Sequence, residues 1–448
     1  MLVVTNAATS SSPASCSSAV SHRQTRAIKS MSSQQSSPLP IKPEPWPYQQ
    51  VGYNRAHMWY DMTFKRFDEN TKIIVVEGNI GSGKSTAAKE LAEKLGFHYI
   101  PEFDIENILI KGNGKDLRSI YKYTPPKLRI PDLKQMYEDP FNCNTSWFQL
   151  QMLWGRFEQY LNAMAHLLNT GQGVVLDRSV FSDFVFMNAG RQKKFITPNW
   201  FRAYFWFRRI LLPAGIQGYW PHVFIYLDTP VDKCLENIKK RGTSYEQNTY
   251  LDREYLQTIE DSYRDLLQEV KRHSKVVVYD WSKQPEVESV IEDLEKMELD
   301  FFEWHSTQVL EKWHEFKALG DRHNWNWVRK YFTLKHEPLQ FFDELNKVED
   351  LPEFRTDFGD KVQFRAAAAK FIYEDGYAPG FHPKELKDNW ADVFFFNRTH
   401  RFEHSKQWFE YYWKDAWYTH EERIWDAGDF TGDLWFNDHF VEAYHTRH

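Results

Sequence analysis

The residues best suited to chemistry lie in one short stretch, KIIVVEGNIGSGKST, from Lys72 to Thr86. Its glycine-rich part fits the phosphate-loop pattern G-x-x-x-x-G-K-[ST] without a mismatch. Glycines let the backbone curl so that several N–H groups point at one anion, and the start of a following helix adds its positive dipole end. In this pattern Lys84 reaches the outer phosphates, and the Ser85 hydroxyl holds Mg²⁺. The predicted phosphate-binding residues are Gly78, Asn79, Gly81, Gly83, Lys84, Ser85 and Thr86.

The segments on either side of this loop must position it. Lys72 to Val76 is rich in β-branched residues and predicts one buried parallel strand. Ala87 to Leu95 has the pattern of an amphipathic helix. A glycine-rich turn that binds nothing is the alternative interpretation. The strand–loop–helix order favours phosphate binding over that alternative.

The alternation of strands and helices continues along the chain. Further short apolar runs predict four more strands, at Phe97–Ile100, Val174–Leu176, Val223–Leu227 and Val276–Tyr279. Trp147 to Leu168 predicts a long helix, whereas residues 111–143 are rich in Gly and Pro and predict an irregular insertion. Strands that alternate with helices predict an α/β fold, a doubly wound five-stranded parallel sheet. Ligands bind such a sheet at the carboxyl ends of its strands.

Length and composition exclude several classes of protein. The chain has 448 residues, which predicts more than one domain or one domain with a large appendage. Its net charge of −6 gives no electrostatic case for nucleic-acid binding. No apolar run approaches the roughly 18 residues of a membrane span. Cys16, Cys143 and Cys234 are far apart, so no disulfide framework or zinc cluster is predicted.

The two ends of the chain differ from its middle. Residues 1–43 are Ser-rich, contain basic residues and have no acidic one, which is typical of a mitochondrial transit peptide; an ordinary disordered tail is the alternative. Residues 44–71 are aromatic-rich and predict a segment that wraps the domain surface. We place a phosphate-loop domain at 72–295 and a mainly helical, aromatic-rich extension at 296–448. Helical patterns occur there at Gln340–Lys347 and Lys406–Trp417, and the aromatic residues predict either a small core or a docking surface.

Several motifs beyond the loop occur in a fixed order. They are Pro101–Glu102 after the second strand, Met136, Tyr137, Glu138 and Pro140 before the long helix, Phe148, Gln149 and Arg156 on it, and Asp177–Arg178–Ser179 after the third strand, followed by Asp183. This set resembles the deoxynucleoside kinases over about residues 72–282. The resemblance implies that Glu102 is the base near the sugar 5′-hydroxyl. It also implies that Asp177, where the family usually has Glu, and Arg178 form a carboxylate and a phosphate clamp.

The resemblance also implies a nucleoside site. The residues that match it are Tyr137 and Glu246 at the sugar 3′-hydroxyl, Gln149 at the edge of the base, and Arg156 and Asp183 beside it. Each could instead have an ordinary structural role. Gln149 and Arg156 could be surface residues of a helix, and Asp177 with Arg178 could be a buried ion pair. The agreement across several motifs favours common ancestry with the kinases and leaves activity open.

The lid of the kinases is the place where this sequence departs from the pattern. The family carries several lid arginines after the fourth strand, and the matching stretch here is CLENIKKRGTSYEQ, from Cys234 to Gln247. Asn237 and Thr243 stand at two of the arginine positions, and Arg241 is kept as a phosphate-binding residue. Removing an arginine that assists phosphoryl transfer costs about 10³-fold or more in rate. The sequence therefore predicts that nucleotide binding is kept and that phosphoryl transfer is impaired.

A kinase-like core, a reduced lid, a transit-like start and an aromatic extension resemble the kinase-like accessory subunits of mitochondrial complex I, the NADH:ubiquinone oxidoreductase. The stretch from Tyr53 to Ser85 supports this resemblance. It implies a non-catalytic subunit on the matrix side of the inner membrane, peripheral to the membrane, with other complex I subunits as partners. It also implies a purine nucleotide with Mg²⁺ as ligand and no redox cofactor. An active mitochondrial deoxynucleoside kinase and an unrelated nucleotide-sensing scaffold are the alternatives.

Overall fold

A computed structural model describes most of the central part of this chain and selected segments outside it. The described residues are 28–34, 42–110, 116–122, 126, 129–247, 250–283, 286–297, 299, 310–314 and 322–334. The helical patterns predicted at Gln340–Lys347 and Lys406–Trp417 lie outside these residues.

Five parallel strands form one sheet at the centre of the described residues. They are β1 (Ile73–Gly78), β2 (His98–Ile100), β3 (Val174–Asp177), β4 (Val223–Asp228) and β5 (Lys275–Asp280), in the spatial order β2-β3-β1-β4-β5. Every β1 residue is buried, as a run of β-branched residues in a parallel sheet requires. The predicted α/β class and five-stranded parallel sheet are confirmed, and each predicted strand is present with its bounds shifted by a residue or two.

Helices cover both faces of the sheet. In chain order they are α1 (Met31–Gln34), α2 (His57–Tyr60), α3 (Lys84–Leu95), α4 (Glu106–Leu109), α5 (Leu133–Glu138), α6 (Thr145–Thr170), α7 (Phe184–Gln192), α8 (Pro198–Leu211), α9 (Val231–Arg241), α10 (Arg253–Val270), α11 (Val287–Lys296), α12 (Glu311–His314) and α13 (Arg322–Leu334). Helices α3 and α11 pack together on one face, and α6, α7 and α10 form a layer on the other. Right-handed crossovers in this strand order place the helices in this way.

Short 3-10 turns at Thr63–Arg66, Leu117–Ile120 and Ser244–Gln247, and a π-helical turn at Leu212–Ile216, complete the regular structure. Within the predicted irregular insertion, the described residues form α5 and the 3-10 turn Leu117–Ile120, and Asp116 pairs with Ile110 in an isolated β-bridge. No helix among the described residues combines the length and the apolarity needed to cross a bilayer.

The central helix α6 supports one end of the sheet and the site beside it. It is 26 residues long, and most of its side chains are buried. A Cβ atom on Gly155 would lie 2.0 Å from the ring of Phe103, which is too close for any side chain. Any larger residue would displace Phe103, so this glycine lets the segment after β2 lie directly on α6. That contact fixes the position of Glu102, the residue before Phe103.

Described residues from the predicted transit segment and from the predicted extension belong to the same domain as the sheet. Ile28 is buried, and the Ser30 backbone N–H donates to Oε1 of Glu295 at 2.8 Å, although both residues fall within the predicted transit segment. Trp313 and Phe332 lie in the same apolar core, although both fall within the predicted extension. The sequence predicts separate segments because it does not show which distant residues meet. The bond between Ser30 and Glu295, for example, joins residues more than 250 positions apart.

Candidate functional site

The phosphate loop connects β1 to α3 in the predicted conformation. Gly81 and Gly83 have φ values of +77° and +87°, a left-handed conformation that favours glycine. Gly83 directly precedes α3, so the loop delivers a bound anion to the positive end of a helix of 12 residues. Ser85 and Thr86 are exposed on the first turn of that helix, and the side chain of Lys84 is buried.

Glu102 lies at the centre of three cationic side chains. Its carboxylate oxygens lie 3.0 Å from Lys84 Nζ, 2.9 Å from Arg178 Nε and 3.2 Å from Arg156 Nη2. Burial works to raise the pKa of Glu102, but Arg178, Lys84 and Arg156 outweigh it and hold that pKa far below its usual range. The side chain is still 32 % exposed, so it borders an open cleft. Glu102 is therefore a carboxylate that stays ionised next to the phosphate loop.

A second buried carboxylate, Asp183, organises the predicted nucleoside side of the cleft. It accepts hydrogen bonds from Nε2 of Gln149 at 2.9 Å and from the Tyr204 hydroxyl at 2.5 Å. It also forms an ion pair with Arg156. Because Gln149 donates to Asp183, its amide orientation is fixed, with the carbonyl oxygen left to accept from a ligand. The structure therefore brings Gln149, Arg156 and Asp183 together as predicted.

Asp177 at the end of β3 has the features of a cation ligand. Its side chain is buried, and neither carboxylate oxygen makes a hydrogen bond within the described part of the chain. Burial raises the pKa of Asp177, while Lys84 and the Ser85 hydroxyl favour its charged form. Oxygen donors are the ligands that Mg²⁺ prefers. A buried carboxylate beside Ser85 fits a Mg²⁺ ion that is itself bound to phosphates, and the two residues would hold that ion. The described residues contain no cluster of three or more His, Cys, Asp or Glu side chains able to form a metal site on their own.

Arg178 is held by residues that sequence patterns did not single out. Its φ of +62° is unusual for a residue other than glycine, and its Nη1 lies 2.6 Å from the Tyr263 hydroxyl. Tyr263 also donates to the Gly78 carbonyl at 3.1 Å and lies 3.2 Å from Glu77 Oε2. The group therefore ties Arg178 to the start of the phosphate loop. No motif marks Tyr263, which lies far along the chain on α10; Glu77 could have been noticed as a charged residue ending a buried strand.

The lid helix α9 rests directly on the phosphate loop. Nδ2 of Asn237 donates to the Gly81 carbonyl oxygen at 2.8 Å. A Cβ atom on Gly81 would lie 2.8 Å from the carbonyl oxygen of Cys234, so only glycine permits this approach. Asn237, which stands at a predicted arginine position, therefore uses its side chain to join the lid to the loop.

The remaining lid and sugar-site residues also lie together. Arg241 Nη1 is 3.0 Å from Oε1 of Glu246, so the retained lid cation is paired with the predicted sugar-site carboxylate. Tyr137 packs against the rings of Tyr245 and Tyr250, with centroid distances of 5.6 and 5.5 Å. The Oε2 atom of Glu246 is buried without a hydrogen bond within the described part of the chain. These contacts join α5, which carries Tyr137, to the segment after α9.

A family model described as deoxynucleoside kinase matches residues 74–317, more than half of the chain. The chain belongs to the deoxynucleoside kinase family. The match includes the phosphate loop, the Glu102 and Asp183 clusters and the lid. It ends beyond residue 295, which agrees with the packing of Trp313 into the same core.

Among known proteins, the chain is similar to two kinds of relative. It is 34 % identical over 253 residues to NADH dehydrogenase [ubiquinone] 1 alpha subcomplex subunit 10, mitochondrial, of Bos taurus, covering 56 % of this chain and 71 % of the relative. The Mus musculus protein of the same name is 34 % identical over 248 residues, covering 54 % and 67 %. Deoxyguanosine kinase of Dictyostelium discoideum is 29 % identical over 234 residues, covering 52 % and 72 %.

Among solved structures, deoxyadenosine kinase from M. mycoides with bound dATP matches at 23 % identity with a TM-score of 0.38. The match covers 50 % of this chain and 97 % of that chain.

Proposed function

We propose that this protein is a non-catalytic accessory subunit of mitochondrial complex I that keeps a nucleotide-binding kinase domain. The support for complex I membership is the 34 % identity to the mammalian NADH dehydrogenase subunits over most of their length. In this proposal the chain lies on the matrix side of the inner membrane, peripheral to the bilayer, with other subunits of the complex as partners. The domain holds no redox cofactor in this proposal.

The observation that carries the non-catalytic role is the contact between Asn237 and the Gly81 carbonyl. Phosphoryl transfer is assisted by arginines that neutralise charge on the transferring group. Asn237 brings no charge, and its amide is already used to hold the lid on the loop. Arg241 is paired with Glu246 instead. The lid therefore lacks arginine at two of the positions that assist the chemical step, while the groups that bind phosphate remain.

The retained groups support binding of a purine nucleotide together with Mg²⁺. The loop backbone and Lys84 would bind the phosphates, and Ser85 and Asp177 would hold the cation. When bound, Mg²⁺ would neutralise phosphate charge. Gln149 would orient the base through its carbonyl oxygen, since Asp183 fixes its amide nitrogen. Tyr137 and Glu246 border the sugar position.

Membership of the complex is tested by the migration of the native protein. We expect it to migrate in a very large assembly when mitochondria are solubilised with a mild detergent, and to co-purify with NADH:ubiquinone oxidoreductase activity. Protease added to mitochondria with ruptured outer membranes should leave it intact, because it lies in the matrix. A free monomer or dimer in the same gel would contradict the proposal.

Nucleotide binding is tested by calorimetry with MgATP and MgGTP on the purified full chain. Lys84→Ala should abolish the heat of binding, because it removes the cation in the loop. The matched control is Lys89→Ala, which removes an exposed lysine from the next turn of α3. Loss of binding in both variants, or in neither, would contradict a phosphate site at Lys84.

An active deoxynucleoside kinase is the second candidate, favoured by the intact arrangement of Glu102, Arg178 and Asp183. It requires that nearby Lys239 and Lys240 substitute for the missing arginines. Lysine lacks the bidentate fork of arginine, so we expect negligible turnover. A turnover above about 1 s⁻¹, the low end for kinases, with any deoxynucleoside would instead show that the protein is an active kinase.

A further inference from the structure

The most exposed large aromatic side chains of the described residues include a group on the side of the molecule formed by α2 and α13. Trp59 is 86 % exposed and Tyr60 is 65 % exposed at the end of α2, and Trp327 is 47 % exposed on α13. The Arg55 guanidinium lies 5.6 Å from the centre of the Trp327 ring. We refer to Arg55, Trp59, Tyr60 and Trp327 as the Trp59 patch.

The patch is built on a rigid base. The Asn326 side chain, next to Trp327, accepts hydrogen bonds from the backbone N–H and the hydroxyl of Thr63, at 2.9 and 2.8 Å. It also donates to the Met58 carbonyl at 3.0 Å, next to Trp59. These bonds lock α2, the following 3-10 turn and α13 together beneath the aromatic rings. The rings therefore project from a fixed surface.

Two exposed cations flank the aromatic residues of α2 in the sequence. Arg55 and Lys65 are exposed, and the nearest carboxylate in sequence, Asp61, is turned inward. Asp61 is held by Arg66 at 2.9 Å and by Arg329 at 2.8 Å, so it is neutralised within the protein. A negatively charged partner would therefore contact cations and aromatic rings here. The Asp61 carboxylate would not repel it, because Arg66 and Arg329 neutralise that carboxylate.

The patch lies away from the nucleotide cleft. Asn169, which accepts a hydrogen bond from Arg329 of α13, is in the last turn of α6, shortly before β3 begins. That position is at the amino ends of the strands, whereas the phosphate loop is at their carboxyl ends. A surface that binds at the Trp59 patch would leave the cleft open.

We propose that the Trp59 patch docks on the surface of a membrane containing anionic phospholipids. Trp and Tyr place an apolar ring among the lipids and a polar N–H or O–H among the headgroups, and they are enriched at membrane interfaces. Arg and Lys near an anionic surface add attraction. The rings are exposed on the surface, and a bilayer accepts exposed rings without a matching pocket. Exposed rings beside cations, with the Asp61 carboxylate already neutralised by Arg66 and Arg329, fit an anionic lipid surface. The proposal does not depend on assembly into complex I.

Flotation of the full chain with vesicles tests this proposal. The protein should float with vesicles of equal parts phosphatidylcholine and phosphatidylglycerol, and far less with phosphatidylcholine alone. The double change Trp59→Ala and Tyr60→Ala should weaken binding about tenfold or more, since both rings lose their apolar burial. Arg55→Gln and Lys65→Gln should each weaken it about fivefold at low salt, and added salt should weaken the wild type.

Phe141→Ala is the matched control, because Phe141 is 69 % exposed but lies before α6, outside the patch. It should float like the wild type. All variants alter exposed side chains, and an unchanged melting temperature confirms that each is folded. Failure of the wild type to float, or equal loss in Phe141→Ala, overturns the proposal. A photo-crosslinker at position 59 that captures a protein and no lipid in intact mitochondria would also overturn it, and would assign the patch to a protein interface.

Discussion

Replacing Arg329 by Met should destabilise the whole domain, although Arg329 lies in the predicted extension and far from the cleft. Arg329 is 0 % exposed. Its guanidinium lies 2.8 Å from Asp61, 2.7 Å from the Asn169 side-chain oxygen and 3.7 Å from the centre of the Tyr53 ring. It therefore joins α13 to α6 and to the N-terminal segment. Methionine keeps the length and the apolar stem of the side chain and removes only the charged group.

The expected loss follows from these contacts. Leaving the buried Asn169 oxygen without a donor costs about 1–3 kcal/mol, and losing a desolvated cation–π contact costs about 2 kcal/mol. Relief from burying a cation offsets part of this cost, since burial lowers the pKa of Arg329 to about 10. Asp61 retains Arg66 at 2.9 Å, so no buried charge is left alone. We expect a net loss of about 2–4 kcal/mol in the free energy of unfolding, within the range for a damaged buried network.

The assay is urea unfolding of the full chain, followed by circular dichroism. Lys330→Met is the matched control on the same helix; Lys330 is half-buried and its Nζ lies 5.5 Å from the centre of the Trp327 ring, so its change should cost about 1 kcal/mol or less. Acid unfolding gives a second readout. Although burial opposes them, Arg66 and Arg329 lower the pKa of Asp61, so its contribution to stability is present above the usual Asp range and is lost as the pH falls below it. That acid sensitivity should be smaller in Arg329→Met. Equal stabilities for Arg329→Met, the control and the wild type would refute α13 as part of the domain.

Three further predictions concern the site and the start of the chain. Asn237→Arg combined with Thr243→Arg should raise deoxynucleoside phosphorylation, by up to about 10³-fold if charge at the lid is what is missing; unchanged turnover in a coupled assay would contradict that explanation. The affinity for MgATP should fall on mild acidification, because burial raises the pKa of Asp177 and a protonated carboxyl cannot hold Mg²⁺; Asp177→Asn should lose this pH dependence in calorimetry, and a wild-type affinity that stays constant would argue against Asp177 as a ligand. Any processed N-terminus should lie before Ile28, because Ile28 and Ser30 are packed on the domain; N-terminal sequencing that finds a start beyond Ser30 would contradict this.

The local pattern of the sequence was sufficient for the sheet and the phosphate loop. A run such as Ile73–Val76 can be buried only as a central parallel strand, and the order of Gly81, Gly83 and Lys84 fixes a loop that closes on a helix N-terminus. The residues placed by the kinase motifs, among them Gln149, Arg156 and Asp183, come together because α6 packs against β3, the strand that precedes Asp183. These features depend on short-range order, which a single sequence displays.

Only the tertiary structure decided how these residues are used. Asn237 could be recognised as a missing arginine, but its bond to the Gly81 carbonyl depends on the close approach of two backbones 156 residues apart. Tyr204 and Tyr263 support Asp183 and Arg178 from helices that carry no motif. The predicted boundary at residue 295 took no account of the contacts of Arg329 and Asn326, because these contacts reach residues more than 260 positions away. Composition cannot reveal such pairs, since buried polar groups are satisfied by whichever partners the fold brings near.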